Sequence, residues 1–389
     1  MTSSSRHALV LGAGLAGSAC CAALTRRGWR VELLERGPQA AMGASGLPVG
    51  MLSPHVTRAP TPLSRLCSLG VADARAQLER LVPQGHGWQA TEVDNLGHDP
   101  GRWPAAVVRP SALVHAWLTE AQASGGLGIR FDAIVASLAQ EDRQWVARDG
   151  AGAVLGAAPT VVVATAYGAF PLLERIHGSG SGAVPLRPVK GQLTLAALQT
   201  PPLAPRPTRN NGVFVPAYED AGLPPAWPST VWAMGSTYER GHDDTTVDAA
   251  AHERNAASLE EMHPQAAAEL RRCAREGRLL GWSQVRCASQ DRLPMVGAVP
   301  DLKAMQDMFN AAGARRGRIP LLDTPRMPGL FMLTALGSRG LTLAHWCADW
   351  LAGRMSGEPS PLPEQDLDLE KALDPARFAW KAARRQPAV

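Results

Sequence analysis

Two hydrophobic periods alternate along this chain, and the changes between them mark its elements. His7 to Leu11 is a short apolar run of the kind that forms a strand buried on both faces. Leu15 to Arg27 then reads as an alanine-rich helix closed by Gly28, and Arg30 to Leu34 as a second strand ending at Glu35. Helical spacing returns over Leu63 to Val82, where Leu63, Leu66, Val71, Leu78 and Leu81 recur on one side. Pro110-Ser111 opens a helix that runs to about Ser124 and is ended by Gly125-Gly126, whereas Gly97 to Pro104 reads as turn. Ile129 to Leu138 predicts one or two strands, Trp145 to Leu155 a hairpin about Asp149-Gly150, and Thr160 to Ala164 a buried parallel strand entering a small-residue turn.

The middle of the chain changes character. Arg187 to Thr194, Val213 to Pro216 and Val231 to Tyr238 predict strands around a proline-heavy insert, Pro201 to Pro207. Two polar-faced helices follow, Val247 to Met262 and Pro264 to Glu276. Gly329 to Ala335 is again an apolar strand, leading through Gly337 to Thr342 into a helix that ends near Leu351. The tail from Glu358 is proline-rich and then basic. Strand–glycine turn–helix units at both ends, with a strand-rich middle, predict an α/β (α+β) chain. A Rossmann-type dinucleotide-binding domain would be built from 1–85, 111–184 and 285–389, and 86–110 and 185–284 would form an interleaved, mainly antiparallel substrate domain.

The first βαβ unit carries the chemistry that fixes this expectation. Gly12-Ala-Gly14-Leu15-Ala16-Gly17 matches the dinucleotide fingerprint, with a strand before it and a helix after it. Gly12 allows the tight turn, Gly14 lets the backbone approach a pyrophosphate, and Gly17 lets helix and strand pack closely. The helix start at Leu15 and Ala16 offers free N–H groups to phosphate. Glu35 is placed to accept hydrogen bonds from a ribose and repels a 2′-phosphate, which leaves FAD or NAD; Arg36 weakens that exclusion slightly. The small residues from Gly37 to Pro54 predict close backbone approach to a ligand or a plain loop.

Composition narrows the classes without choosing among them. A chain of 389 residues, 45% apolar and 19% charged, is long enough for two joined domains and is not disordered. No run of 18 apolar residues would span a membrane, and the start MTSSSRHALV has no apolar signal core. Six cysteines without a C-x-x-C spacing fit reduced cytosolic thiols, and ten histidines without an i,i+3 or i,i+4 pair give no metal site. The net charge of +4 is compatible with an anionic partner. Arg286 is the residue most open to catalytic work. It sits among the apolar neighbours Val285 and Cys287, where a guanidinium can hold a carboxylate in a bidentate fork. A structural ion pair with Asp291 is the alternative.

Together the fingerprint, Gly43-Ala-Ser-Gly46, the segment Val285-Arg-Cys-Ala-Ser-Gln-Asp-Arg-Leu-Pro-Met-Val-Gly297 and Leu336-Gly-Ser-Arg-Gly-Leu341 resemble, in order and spacing, the FAD-dependent amine oxidases, the family of D-amino acid, glycine and sarcosine oxidases. Within it the likeness is greatest to the FAD oxidoreductase domain of bacterial bifunctional enzymes that modify the wobble uridine of tRNA, and it extends from Ala8 to Phe378. Those enzymes carry a methyltransferase domain ahead of the oxidoreductase, which these residues do not include. Leu47 stands where Asn is common after GASG, and Lys190 replaces the Arg of PVRGQ.

The resemblance implies a non-covalent FAD site. Gly12, Gly14, Gly17, Glu35 and Arg36 would hold the ADP half, with Leu15 and Ala16 at the helix start, and Ser45, Gly46, Gly50 and Met51 would run past the flavin. Val135 would meet the adenine through its backbone, Ala164 and Thr165 would close over the diphosphate, and Gly337, Ser338, Arg339, Gly340, Leu341 and Thr342 would face the pyrimidine edge. Arg286 matches the arginine that anchors the substrate carboxylate in the family, and molecular oxygen is the family's electron acceptor. The implied reaction converts a carboxymethylaminomethyl arm on tRNA to an aminomethyl group plus glyoxylate, in the cytoplasm; a free glycine-like amine or D-amino acid is the alternative substrate, and a non-catalytic flavin binder the third reading. Arg315, Arg316 and Arg318, or Arg384 and Arg385, could track phosphates, or be a solvated loop and tail. Trp103, Trp227 and Trp282 could stack bases or pack in the core, with Tyr218 and Tyr238 as weaker substrate contacts. Sequence leaves the oligomeric state open.

Overall fold

A six-stranded sheet forms the spine of the cofactor half. The computed structural model describes residues 6–55, 57–178, 184–362 and 366–385; the polar start 1–5 and the last four residues of the basic tail lie outside them. The sheet runs in the order Met295–Pro300, Arg326–Thr334, Thr160–Val163, His7–Leu11, Arg30–Leu34, Leu127–Arg130, and only the first of these strands is antiparallel to its neighbour. The first strand reads as buried on both faces because it is. Ala8 and Val10 enter the core shared with helices Leu15–Arg26, Pro110–Ala123 and Gly340–Met355, while Leu9 and Leu11 enter a second core under the Ser137–Glu141, Gln144–Arg148, Val154–Ala158 sheet. Alanine and glycine along Leu15–Arg26 let neighbouring helices close in, and every residue from Leu15 to Thr25 is buried.

A nine-stranded, largely antiparallel sheet forms the other half. Its backbone order is Glu239–Arg240, Leu186–Ala197, Thr230–Gly235, Gly212–Glu219, Thr208–Asn210, Trp88–Asn95, Gly101–Val108, Gly50–Leu52, with Leu280–Ser289 paired to Leu186–Ala197. Thr208–Asn210 and Trp88–Asn95 pair in parallel. The two polar-faced helices, Ala249–Glu260 and Pro264–Arg275, bury Ala256, Leu259, Ala266 and Leu270 against Phe214, Trp232 and Met234 on one face of this sheet. The opposite face, with Leu193, Leu195, Val215 and Tyr218, packs with Leu47, Met51 and Trp282. Gly50–Leu52, which lies within 1–85, joins this sheet, and Leu280–Ser289 runs across the expected border at 284.

Local differences from the sequence reading have local causes. The turn expected over Gly97 to Pro104 contracts, and Gly101–Val108 pairs along its whole length with Trp88–Asn95. Gly101 and Pro104 disguise that strand, and Gln89, Thr91 and Glu92 disguise its partner. The strand expected from Val231 to Tyr238 ends at Gly235. Leu127–Arg130 and Ser137–Glu141 are separate strands in different sheets.

Candidate active site

The fingerprint turn is closed by contacts that leave no room for side chains. Gly12 has φ +96°, and its N–H donates to the Leu34 carbonyl at 2.8 Å. A Cβ on Gly17 would run into the Gly12 carbonyl oxygen, and one on Gly14 would stand 2.9 Å from Ser45 Oγ. Glu35 is drawn back onto the turn: its Oε2 accepts the Ala13 N–H at 2.6 Å and its Oε1 the Gly37 N–H at 2.9 Å. Two of the roughly four lone-pair positions of a carboxylate are thereby used, and the others remain for a ribose hydroxyl. The 41–46 loop folds over the helix start. Ala41 donates to the Ala13 carbonyl at 3.0 Å, and Ser45 Oγ accepts the Leu15 N–H at 2.9 Å.

From this helix start a cleft runs between the two sheets. Gly14, Leu15, Ala16, Ser45, Gly50, Met51, Ala164, Gly337, Ser338, Gly340, Leu341 and Arg286 all line it. Gly12 in its turn, Gly17 in the helix and Gly46 in the following loop lie behind the wall, and a Cβ on Gly46 would overlap the Ala41 carbonyl. Arg36 is exposed beside Glu35, and Val135 is half-buried against the second core. Thr342 presents its carbonyl to Gly70 of the Pro62–Leu81 helix. Thr165 stands between two lining residues, Ala164 and Ala166, with its buried Oγ1 lacking a hydrogen-bond partner. Arg339 turns away from the glycine turn toward Cys67, Arg209 and His55. Burial and the two guanidiniums push His55 down to about 4.

Arg286 projects from Leu280–Ser289 into the cleft opposite the glycine turns. Its Nη1 donates to the Thr237 carbonyl at 3.3 Å and its Nη2 to Ser236 Oγ; the Tyr238 ring centre is 5.9 Å from Cζ. A Cβ at Gly191, on the neighbouring strand, would overlap the guanidinium, so the glycine makes space for the arginine. No carboxylate among the described residues pairs with Arg286, and burial pushes its pKa below the ordinary guanidinium value. The Asp291 ion pair considered from sequence is not formed. Asp291 is engaged by Arg377 through two contacts of 2.8 Å, because the chain turns at Ser289 and carries Asp291 toward the last helix. Lys190 is buried and bonds Asp244 at 2.5 Å, away from the guanidinium.

Sequence reasoning missed Gly191, Ser236 and Thr237. Gly191 stood in the PVKGQ motif, but only the pairing of Val189 with Arg286 shows its purpose. It also gave no sign of Ala166 and Ala335, which line the cleft with φ of 50° and 61°, a conformation that L residues rarely adopt. Of the three tryptophans, Trp282 lines the cleft, Trp227 packs against the antiparallel-sheet core, and Trp103 is half-buried in a strand. Tyr218 is buried, with its hydroxyl on Asp220 at 2.7 Å. No group of His, Cys, Asp and Glu among the described residues could hold a metal ion.

A family model described as FAD dependent oxidoreductase (DAO) matches residues 7–102 and 101–354. The chain belongs to this family. FAD is its cofactor, and the glycine cradle and the unsatisfied Thr165 hydroxyl fit such a dinucleotide. It is 35% identical over 393 residues to the tRNA 5-methylaminomethyl-2-thiouridine biosynthesis bifunctional protein MnmC of Albidiferax ferrireducens, covering 95% of this chain and 58% of that protein. Against the protein of the same name from Azoarcus sp. it is 36% identical, covering 97% and 61%. The chain thus spans about three fifths of the length of these curated relatives. The solved structure of glycine oxidase from Geobacillus kaustophilus superposes with a TM-score of 0.65 at 19% identity, covering 92% of this chain and 96% of that one, a likeness of fold. No helix among the described residues is long and apolar enough to cross a membrane.

Proposed function

We propose that this flavoenzyme oxidises an N-substituted glycine, the carboxymethylaminomethyl arm of tRNA wobble uridine, to an imine that hydrolyses to aminomethyluridine and glyoxylate. The observation that carries the reading is Arg286: a guanidinium in the cleft, without a carboxylate of its own, facing the glycine turns of the FAD site. A substrate carboxylate supplies the missing partner and gains a charge-assisted fork. Holding it there fixes the α-carbon in the cleft, so the C–H bond meets its acceptor as an oriented, effectively intramolecular partner. FAD, when bound, would supply the acceptor for the hydride of that carbon. The nitrogen lone pair then forms the C=N bond, the amine proton leaves to solvent, and water adds to the imine to release the primary amine and glyoxylate. No protein base is required, since the amine need only be neutral when it reacts.

The cofactor assignments follow the family's motifs, and part of them line the cleft. Gly12, Gly14, Leu15, Ala16, Gly17, Glu35 and Arg36 would hold the ADP half, with Val135 at the adenine and Ala164 and Thr165 at the diphosphate. Ser45, Gly46, Gly50 and Met51 would lie along the ring, and Gly337, Ser338, Arg339, Gly340, Leu341 and Thr342 at its pyrimidine edge, where the helix start stabilises negative charge. The tRNA substrate is favoured by the names of the 33–36% identical relatives, and no residue from Pro201 to Asn211, which could have sealed the cleft, lines it. That substrate places the protein in the cytoplasm.

Glyoxylate release by FAD-loaded protein tests the reading, comparing tRNA that carries the carboxymethylaminomethyl group with glycine, sarcosine and D-amino acids. Release from the tRNA, abolished by Arg286→Ala, is the expected result. Release from free amines alone would make it a small-amine oxidase instead.

A further inference from the structure

Two arginine-rich stretches, some seventy positions apart in the chain, form one surface. Gly313–Arg318 is a short 3-10 turn that follows the helix Leu302–Ala312, and Arg377–Arg385 is the last helix. Trp380 Nε1 donates to the Ile319 carbonyl at 2.9 Å, and Arg384 Nη2 to the Gly317 carbonyl at 2.6 Å. The Arg384 guanidinium lies 4.4 Å over the Trp380 ring. Beneath them Met305, Phe309, Leu321, Ala376 and Ala383 form a buried cluster that fixes turn and helix together.

This arrangement leaves Arg315, Arg318, Lys381, Arg384 and Arg385 exposed, and none of the five forms an ion pair among the described residues. On the Pro264–Arg275 helix, by contrast, Arg271 pairs with Glu253 and Glu260, and Arg272 with Glu269 and Glu276. Asp307 and Asp323, the acids nearest in sequence to the turn, form no ion pair with it either. Held side by side, unneutralised like charges repel, and a polyanion removes that repulsion. The surface is also fixed to the catalytic half. Arg377, at the start of the helix, makes its bidentate pair with Asp291, five residues beyond Arg286 on the chain that leaves the clamp strand.

We infer that this composite surface docks the phosphate backbone of the RNA whose modified base enters the cleft. The inference rests on the tRNA reading of the active site and adds to it the place where the nucleic acid is held. Recognition is by charge and not by base, so affinity must fall with salt in proportion to the phosphates neutralised.

The test is fluorescence anisotropy of labelled tRNA with the FAD-loaded full chain over a salt series. The wild type is compared with the triple variant Arg315→Glu, Arg318→Glu, Arg385→Glu, and with the same three positions changed to lysine. Flavin content and melting temperature establish that each variant is folded. The glutamate variant is expected to bind at least about tenfold more weakly near 0.1 M salt, with the slope of log K against log salt reduced by about 3, while the lysine variant retains the wild-type slope. Equal affinities and slopes in wild type and glutamate variant overturn the surface, even if tRNA is oxidised. Weakened binding in the variant, with no oxidation of tRNA by the wild type, keeps the surface and removes the wobble-uridine reading. Preferential binding to phosphatidylserine vesicles, lost in the glutamate variant while tRNA affinity is unchanged, would also overturn it.

Discussion

A half-buried guanidinium without an anion carries a desolvation cost that the anion of a ligand can offset, and Arg286 is in that position. Its hydrogen bonds to Ser236 and the Thr237 carbonyl aim it without neutralising it. If it clamps the substrate carboxylate, Arg286→Ala removes one partner of a buried, hydrogen-bonded charge pair, a change that costs about 2–5 kcal/mol. We therefore expect kcat/KM for the N-substituted glycine to fall by roughly 10²- to 10³-fold, with flavin content unchanged. Lysine keeps the charge but not the fork, so Arg286→Lys should recover only part of the loss. Gly191→Ala tests the same geometry from across the sheet. The added methyl would overlap the guanidinium and turn it aside, so KM should rise tenfold or more while the protein still binds FAD. Steady-state kinetics with parallel absorbance of the bound flavin check both, and an unchanged KM in Gly191→Ala would mean that the guanidinium has another resting place.

The loop that follows Glu35 shows how much an element can be read from its own residues. Gly12, Gly17, the helix start and Glu35 were legible because they act on neighbours within one βαβ unit. Ser45, thirty positions from the N–H that it accepts, was legible only through the family's motif. Gly17→Ala is the sharpest test of the unit, because its Cβ would meet a backbone oxygen that cannot move without unmaking the turn. Purified Gly17→Ala should carry little FAD and melt below the wild type; a full flavin load would mean that the turn tolerates a wider helix–strand gap. The antiparallel half was harder to read. Trp88–Asn95 and Gly101–Val108 are stabilised by each other and by Gly50–Leu52, and neither shows a clean alternation by itself. The clamp was half legible: Arg286 stood out in sequence, whereas Gly191 and Ser236 reach it only through pairings between strands about a hundred and about fifty residues away. The true partner of Asp291 was hidden for the same reason, since Arg377 lies 86 positions on.

Interleaving the two sheets places several histidines where water reaches them poorly, and the whole molecule should register this as a dependence of stability on pH. Burial holds His55, His177, His252 and His263 below the ordinary imidazole value, against the pull of Asp301 and Glu174 on His177, of Asp248 on His252 and of Asp94 on His263. Two of them join the helices to the antiparallel sheet through threonine: Thr194 Oγ1 lies 2.7 Å from His252 Nδ1, and Thr208 Oγ1 lies 2.7 Å from His263 Nε2. In the unfolded chain all four titrate near 6.5, so between that value and their lower folded values the unfolded state binds more protons. Stability is therefore complete above about pH 7 and declines as pH falls below 6.5, with His55 contributing down to about 4. The carboxylates act later. Asp220, Asp291 and Asp349 are held below the usual carboxylate value by Arg109, Arg377 and Arg27 against the upward push of burial, so what they contribute is present above about pH 4 and is lost only below it. The melting temperature of the FAD-loaded protein, followed from pH 8 to pH 5, should hold steady to pH 7 and then fall by several degrees before those three aspartates titrate. Histidine-to-glutamine changes at 252 and 263 should flatten that early decline, and a curve level from 8 to 5 would mean that the rings take up protons in the folded chain as readily as in the unfolded one.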